Sequence, residues 1–342
     1  MALPVWIRRL AFTGLVLCFV VVVLGAYVRL SAAGLSCPDW PGCYGAPTPL
    51  GIAQGAAAPG ALSHAAPDVG KAWREMIHRY AAGSLTLIIV ILAVFAVTER
   101  GRQMIGLPFA GALLVIVIFQ ASLGMLTVTL RLTPLIVTLH LIFGMTTLAL
   151  LAWLWLSVRK SGRADVPAAQ QRLAPRLCLA ALMVLGMQIA LGGWTSSNYA
   201  ALACPDFPTC QGRWWPPSDY AHAFVLRRVV GLNYEGGTLA EPARVAIQLT
   251  HRLGACAATL MLVLAACLTL RRTRMPGPRR AAWAVLAFLA LQLVIAISMI
   301  EAGFPLWLGT AHNAGAALLL LATVALYQAV RSEPAASTGS TG

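Results

Sequence analysis

Eight separate apolar runs constrain this chain more than any other feature. They lie at about 10–30, 76–97, 104–128, 135–158, 176–195, 245–270, 281–301 and 305–330. Each is close to or beyond the roughly 18–20 residues that a helix needs to cross the hydrocarbon core of a bilayer. Composition agrees: the chain is 59% hydrophobic and only 11% charged, less than half the charge of an ordinary soluble domain at about 25%. The expected fold is an all-α polytopic membrane protein with eight transmembrane helices.

The formal charge of +14 does not point to a nucleic-acid partner, because the basic residues follow the loops. Arg8, Arg9, Arg100, Arg102, Arg159, Lys160, Arg163, Arg172, Arg176, Arg271, Arg272, Arg274, Arg279, Arg280 and Arg331 share their loops with only Glu99, Asp165 and Glu333. The positive-inside rule then predicts cytoplasmic termini, with the long loops 31–74 and 198–244 outside. The first run follows Arg8-Arg9 as a signal peptide would, but it exceeds the usual 7–15-residue apolar segment, and removing it would break the repeat described next. It is read as the first span. The tail, 333–342, is small and polar and is expected to be disordered.

The sequence repeats itself. At an offset of 167, "GAYVRLSAAGLSCPDWPGCYG" lies on "GGWTSSNYAALACPDFPTCQG", pairing Gly25 with Gly192 and both cysteines with both. At 172 or 173, "IHRYAAG" meets "THRLGAC", Gln120 meets Gln292 and His140 meets His312. An even number of spans per copy gives both the same orientation, a parallel repeat. The expected architecture is two parallel-repeat four-helix bundles, 1–165 and 166–332.

Of six histidines, His64 and His222 fall in outer loops. His78, His140, His251 and His312 fall at matching places in the even-numbered spans. Each comes soon after its helix enters from the outer side; His140 is about 9 Å of helix beyond Pro134 at 1.5 Å per residue. A single histidine of this kind is as well explained by packing. Four at equivalent depths, one pair per bundle, suit an iron porphyrin gripped from both faces, since haem iron takes axial histidines. Zinc fits less well, because its sites gather three or four ligands. Arg79 and Arg252 directly follow two of the histidines. Two readings stand for them: a guanidinium fork for a haem propionate, or an arginine snorkelling at the membrane edge.

The copies differ at one ionisable position. Glu75 shares a helical face with His78, three residues on, whereas Gln248 precedes His251. Glu75 either pairs with Lys71 or Arg79 near water, or serves chemistry in the first copy by relaying protons or stabilising positive charge. Cys37/Cys43 and Cys204/Cys210 are C-x5-C pairs in outer loops. The oxidising compartment outside a bacterial inner membrane and the turn-forming Pro and Asp between them predict two disulfides; free thiols are the alternative. Cys18, Cys178, Cys256 and Cys267 are expected to pack within helices. Trp214 and Trp215 are read as headgroup anchors, and "SDYAHAFVLRRVV" as a short amphipathic surface helix.

The segments "VRLSAAGLSCPDWPGCYG", "EMIHRYAAGSL", "LTVTLRLTPLIVTLH", "GGWTSSNYAALACPDFPTC", "THRLG" and "AHNAGA" resemble those of the haem A synthase family, from the first span to the last. That resemblance implies oxidation of the C8 methyl of haem O to a formyl group, through two hydroxylations and loss of water. It implies that His78 and His140 hold the substrate haem, that His251 and His312 hold a haem b passing electrons, and that Glu75 is the carboxylate needed for activity. Implied partners are haem O synthase, terminal oxidase assembly proteins and quinol or another electron donor, in a bacterial inner membrane with the haem sites toward the periplasmic face. Two other readings use the same histidines: a di-haem b-type electron carrier oxidising quinol without altering haem, and a parallel-repeat transporter with histidine proton relays.

Overall fold

All eight apolar runs fold as long helices in the computed structural model, which describes residues 4–50, 68–159, 173–226, 229 and 231–331. They are α1 (Val5–Leu30), α2 (Val69–Val97), α3 (Leu107–Thr129), α4 (Pro134–Arg159), α5 (Leu173–Ser197), α6 (Glu241–Arg272), α7 (Pro276–Glu301) and α8 (Leu306–Arg331). Each is long and apolar enough to span a membrane, and there are no strands among the described residues. The tail 333–342, His64, Asp165 and the boundary at 165/166 lie outside the described residues.

Most helices outrun their apolar segments. Helix α2 begins seven residues before residue 76, where Asp68 accepts the Lys71 amide at 2.9 Å and so satisfies one of the first unpaired N–H groups. Its first turns carry Lys71, Arg74 and Glu75, which are good helix formers. Hydropathy marks where a helix meets lipid, and capping marks where it ends. Prolines at the first turns of α6 and α7 extend those helices in the same way, since a proline there removes no needed hydrogen bond.

Neighbour relations among the helices are regular. Helix α1 packs on α2 and α4, and α3 packs on both α2 and α4, closing a ring of four. The last four spans make the same ring, α5 on α6 and α8, α7 on α6 and α8. Between the rings, α1 meets α8, α4 meets α5, and α4 meets α8. Polar side chains tie this junction. Thr138 and Ser197 pair their hydroxyls at 3.2 Å, and Gln328 donates to Ser157 Oγ at 2.7 Å. Arg29 donates to Tyr199 Oη at 2.6 Å and lies over its ring. Interhelical bonds of this kind contribute about 0.6 kcal/mol each in a membrane.

Packing is uneven along the bundle axis. The main apolar core gathers the start of α1 (Ile7, Ala11, Leu15), the end of α2 (Leu85, Ile89, Leu92) and the end of α4 (Leu148, Leu151, Leu154), with the corresponding parts of the other helices. All of these lie toward the basic loops. The opposite end, under the two long loops, is hollow.

Candidate functional site

Both disulfides are formed, with Cα atoms 4.8 Å apart for Cys37–Cys43 and 4.6 Å for Cys204–Cys210. The two loops match bond for bond. Asp39 accepts the amides of Tyr44 (2.6 Å) and Gly45 (2.8 Å). Asp206 accepts those of Gln211 (2.6 Å) and Gly212 (3.0 Å). The two donors are successive left-handed residues in each loop, with φ of 56° and 73° in one and 55° and 71° in the other. That geometry turns both N–H groups to one side and explains glycine at the second position. Each loop then lies in the grasp of the arginine that follows a histidine. Arg79 Nη1 donates to the carbonyls of Gly42 (2.6 Å) and Asp39 (2.9 Å). Arg252 donates to those of Thr209 (2.7 Å) and Asp206 (2.8 Å). Main-chain carbonyls carry no mark in a sequence, so neither earlier reading of these arginines anticipated the clasp.

The Asp206 carboxyl is held below its ordinary value of 3.8 by the Thr209 hydroxyl first, then by the amides of Gly212 and Gln211. A depressed carboxylate pKa contributes stability above the unfolded value and loses it as pH falls through the folded one. Amide exchange at Gln211 and Gly212 should therefore accelerate only below about pH 4, beyond the intrinsic pH effect. The group is largely exposed, so the gain is local loosening rather than unfolding.

Beneath the loops lies one cavity of about 2410 Å³, more than twice the ~1,000 Å³ upper end of ordinary ligand pockets. His78, His140, His251 and His312 all line it. Within each ring the two histidines come from diagonal helices, α2 and α4 or α6 and α8, so they approach from opposite walls. Ring glycines on the next helix make room for two of them. A Cβ at Gly25 would stand 3.0 Å from His78 Cε1, and one at Gly192 3.2 Å from His251 Cε1. Nδ1 of His78 and Nδ1 of His140 are buried without a hydrogen bond. Gln188 Nε2 reaches His251 Nδ1 at 3.1 Å, and Gln292 Nε2 reaches both ring nitrogens of His312, Nδ1 at 3.2 Å and Nε2 at 3.4 Å. The glutamine at 188 was not singled out from sequence; Gln292 was, but only as the match of Gln120.

Glu75 is buried at 4% exposure, and its counterpart Gln248 at 5%. Glu75 Oε1 pairs with Arg79 at 2.5 Å and Oε2 accepts the Cys37 amide at 2.9 Å. One carboxylate thus joins the cavity wall, the arginine clasp and the disulfide. Among the described residues no cluster of three or more His, Cys, Asp or Glu is placed to hold a metal ion. His222 is exposed and pairs with Asp219 at 2.6 Å, away from the cavity. Among the described residues of the amphipathic stretch at 218–230, one helical turn forms, Tyr220–Ala223, and Trp194 Nε1 donates to the Ala223 carbonyl at 3.0 Å. Trp214 and Trp215 are exposed, as headgroup anchors would be.

Comparison with known proteins covers nearly the whole chain. A profile described as cytochrome oxidase assembly protein matches residues 8–324. A heme A synthase of Shewanella oneidensis is 40% identical over 329 residues, covering 94% of both chains. Heme A synthases of Methylobacterium sp. (strain 4-46) and Rhizorhabdus wittichii are 30% and 26% identical, covering 93% and 94% of this chain and 90% and 92% of theirs. With eight spans, matched outer loops and a profile that runs from α1 to α8, the chain belongs to the cytochrome oxidase assembly protein family.

Proposed function

We propose that this chain is a haem A synthase, an oxidoreductase that converts the C8 methyl of haem O to a formyl group by successive hydroxylations. The observation that carries the reading is the pair of opposed histidines on each side of one large cavity, in a chain 40% identical to a heme A synthase over 94% of its length. The residues suit haem: four buried imidazoles, two of them (His78 and His140) with an Nδ1 that has no partner, glycines where a side chain would push the rings aside, and a lining that is mostly apolar.

In this reading residues 1–165 form the substrate unit, where His78 and His140 hold haem O, and residues 166–332 form the second, where His251 and His312 hold haem b. Haem b, when bound, supplies one-electron transfer. Glu75 holds a negative charge at the cavity wall beside His78 and accepts or relays the protons released from the methyl group. Its bonds to Arg79 and to the Cys37 amide fix where that charge sits. The propionates would lie by Arg79 and Arg252, under the loops those arginines already clasp. The apolar end of the cavity suits the farnesyl chain of haem O, delivered from lipid. The site faces the periplasm, both termini face the cytoplasm, and the membrane is the bacterial inner membrane. Haem O synthase, terminal oxidase assembly proteins and quinol or another donor are the partners this chemistry calls for.

The test is haem extraction from the purified protein, read by mass. Haem O, a hydroxylated form or haem A should copurify beside haem b. Haem b alone would favour a di-haem electron carrier, and no haem at all would favour a transporter.

A further inference from the structure

The two halves differ most consistently along one wall of the cavity, and this inference rests on the haem reading above. Helix α3 supplies that wall in the first half and α7 in the second, and the structure fixes their register. Gln120 donates to the main-chain oxygen of His140 at 2.8 Å, and Gln292 to that of His312 at 3.1 Å. Both helices then run out into matched left-handed residues, with φ of 59° at Leu132 and 61° at Phe304.

Apart from these glutamines, every position at which both helices line the cavity differs. Ala121 stands where α7 has Leu293, Gly124 where it has Ala296, and Thr127 where it has Met299. Val117 and Val128 answer Leu289 and Ile300 in the same way. The α3 residue is the smaller of each pair. The Thr127 hydroxyl donates to the Gly124 carbonyl at 2.7 Å, so this side chain brings no free donor to the wall.

Packing within the chain does not call for such small residues. A Cβ at Gly124 would stand 3.4 Å from His140 Cε1, an ordinary contact. One at Gly83 of α2, where α6 has Cys256, would meet nothing within 4 Å. Glycine is the poorest helix former after proline, so two glycines left bare toward a cavity weaken their helices and return only space. The trend extends to α1 and α4, where Cys18, Val21 and Thr147 answer Leu185, Gln188 and Leu319. It is not uniform: Leu85 is larger than its counterpart Ala258, and Val137 larger than Gly309. Room is therefore redistributed rather than added all round, and α3 is the wall that yields throughout.

Haem O and haem B share one porphyrin and differ in bulk at one edge, where haem O carries a long farnesyl-bearing group and haem B a vinyl. A wall of alanine, glycine, threonine and valine leaves space that an isoprenoid chain fills by apolar contact. A wall of leucine, methionine and isoleucine fills that space with the protein's own side chains, so the longer haem enters only by overpacking it. We propose that α3 and α7 are the specificity-determining walls: Ala121 and Thr127 admit the isoprenoid group of haem O to the first pocket, and Leu293 and Met299 bar it from the second.

The experiment titrates haem O or haem B into full-length protein in detergent and reads the low-spin absorbance. His312→Ala protein isolates the first pocket, and His140→Ala protein the second. Added to the former, Ala121→Leu with Thr127→Met should weaken haem O binding about 10- to 200-fold, the range for surplus methylenes in an apolar pocket, and leave haem B within about two-fold of the parent. Added to the latter, Leu293→Ala with Met299→Thr should strengthen haem O binding by a like factor, a gain that misfolding does not produce. Equal loss of both haems from the first pair of substitutions, no loss of haem O from it, or no gain from the second overturns the proposal and leaves the haem reading intact. Parent proteins that bind neither haem remove both.

Discussion

Glu75→Gln should leave both haem sites filled and stop haem A formation. The second half of the molecule already shows that an amide fits: Gln248 occupies the matching position and is as buried as Glu75. A glutamine at 75 keeps an oxygen for the Cys37 amide, now 2.9 Å from the carboxylate, and gives up only the charge facing Arg79. Loss of a positioned proton acceptor typically costs about 10²–10⁴-fold in rate, so conversion should fall into that range while the haem b spectrum stays as in wild type. Glu75→Ala should stop conversion as well. It also strips the Cys37 amide of its acceptor, at about 1–3 kcal/mol for an unsatisfied buried donor, so the glutamine variant gives the cleaner result. Mass analysis of extracted haem decides it, and conversion within about two-fold of wild type by Glu75→Gln would end the assignment of a chemical role to this carboxylate.

His312→Ala should empty the second site and let haem O accumulate in the first. On the proposed ligation, the substitution would leave the opposite histidine, His251, as the sole protein ligand, and the alanine opens space in a cavity that is already large. Haem content should fall by about one equivalent per chain, with loss of the low-spin signal of that site. His78 and His140 stand on other helices, and haem O bound there should remain unconverted for want of electrons. Wild-type haem A output from this variant would show that the second pair does not lie on the electron path, whatever it binds.

Eight spans were legible because lipid admits few polar residues across some twenty consecutive positions. The four histidines were legible for a related reason: an ionisable group is costly in an apolar helix, and the offset of the two copies repeated each one. Helix ends were less so, since Asp68 and the charged first turns of α2 lie beyond the reach of hydropathy. The arginine clasp was missed because its acceptors are carbonyls of Asp39, Gly42, Asp206 and Thr209, which every residue possesses. Gln188 was missed because its match is a valine; a polar residue that appears in one copy only looks, in a single sequence, like noise. In the stretch at 218–230 the described residues form helix only over Tyr220–Ala223, and the amphipathic pattern does not reveal that the Ala223 carbonyl accepts from Trp194 Nε1.

The contacts between the rings pair off: α1 with α8 answers α5 with α4, and α4 with α8 answers itself. That is the isologous arrangement of two identical subunits about a dyad. Two such subunits, left as separate polypeptides, would be bound to write every position twice. A glutamate placed at one centre would appear at the other, and so would each valine or glutamine behind an imidazole. Covalent fusion releases that constraint. It lets Glu75 answer Gln248, and Val21 answer Gln188, within one shared chamber, so that a single fold presents two chemically different halves.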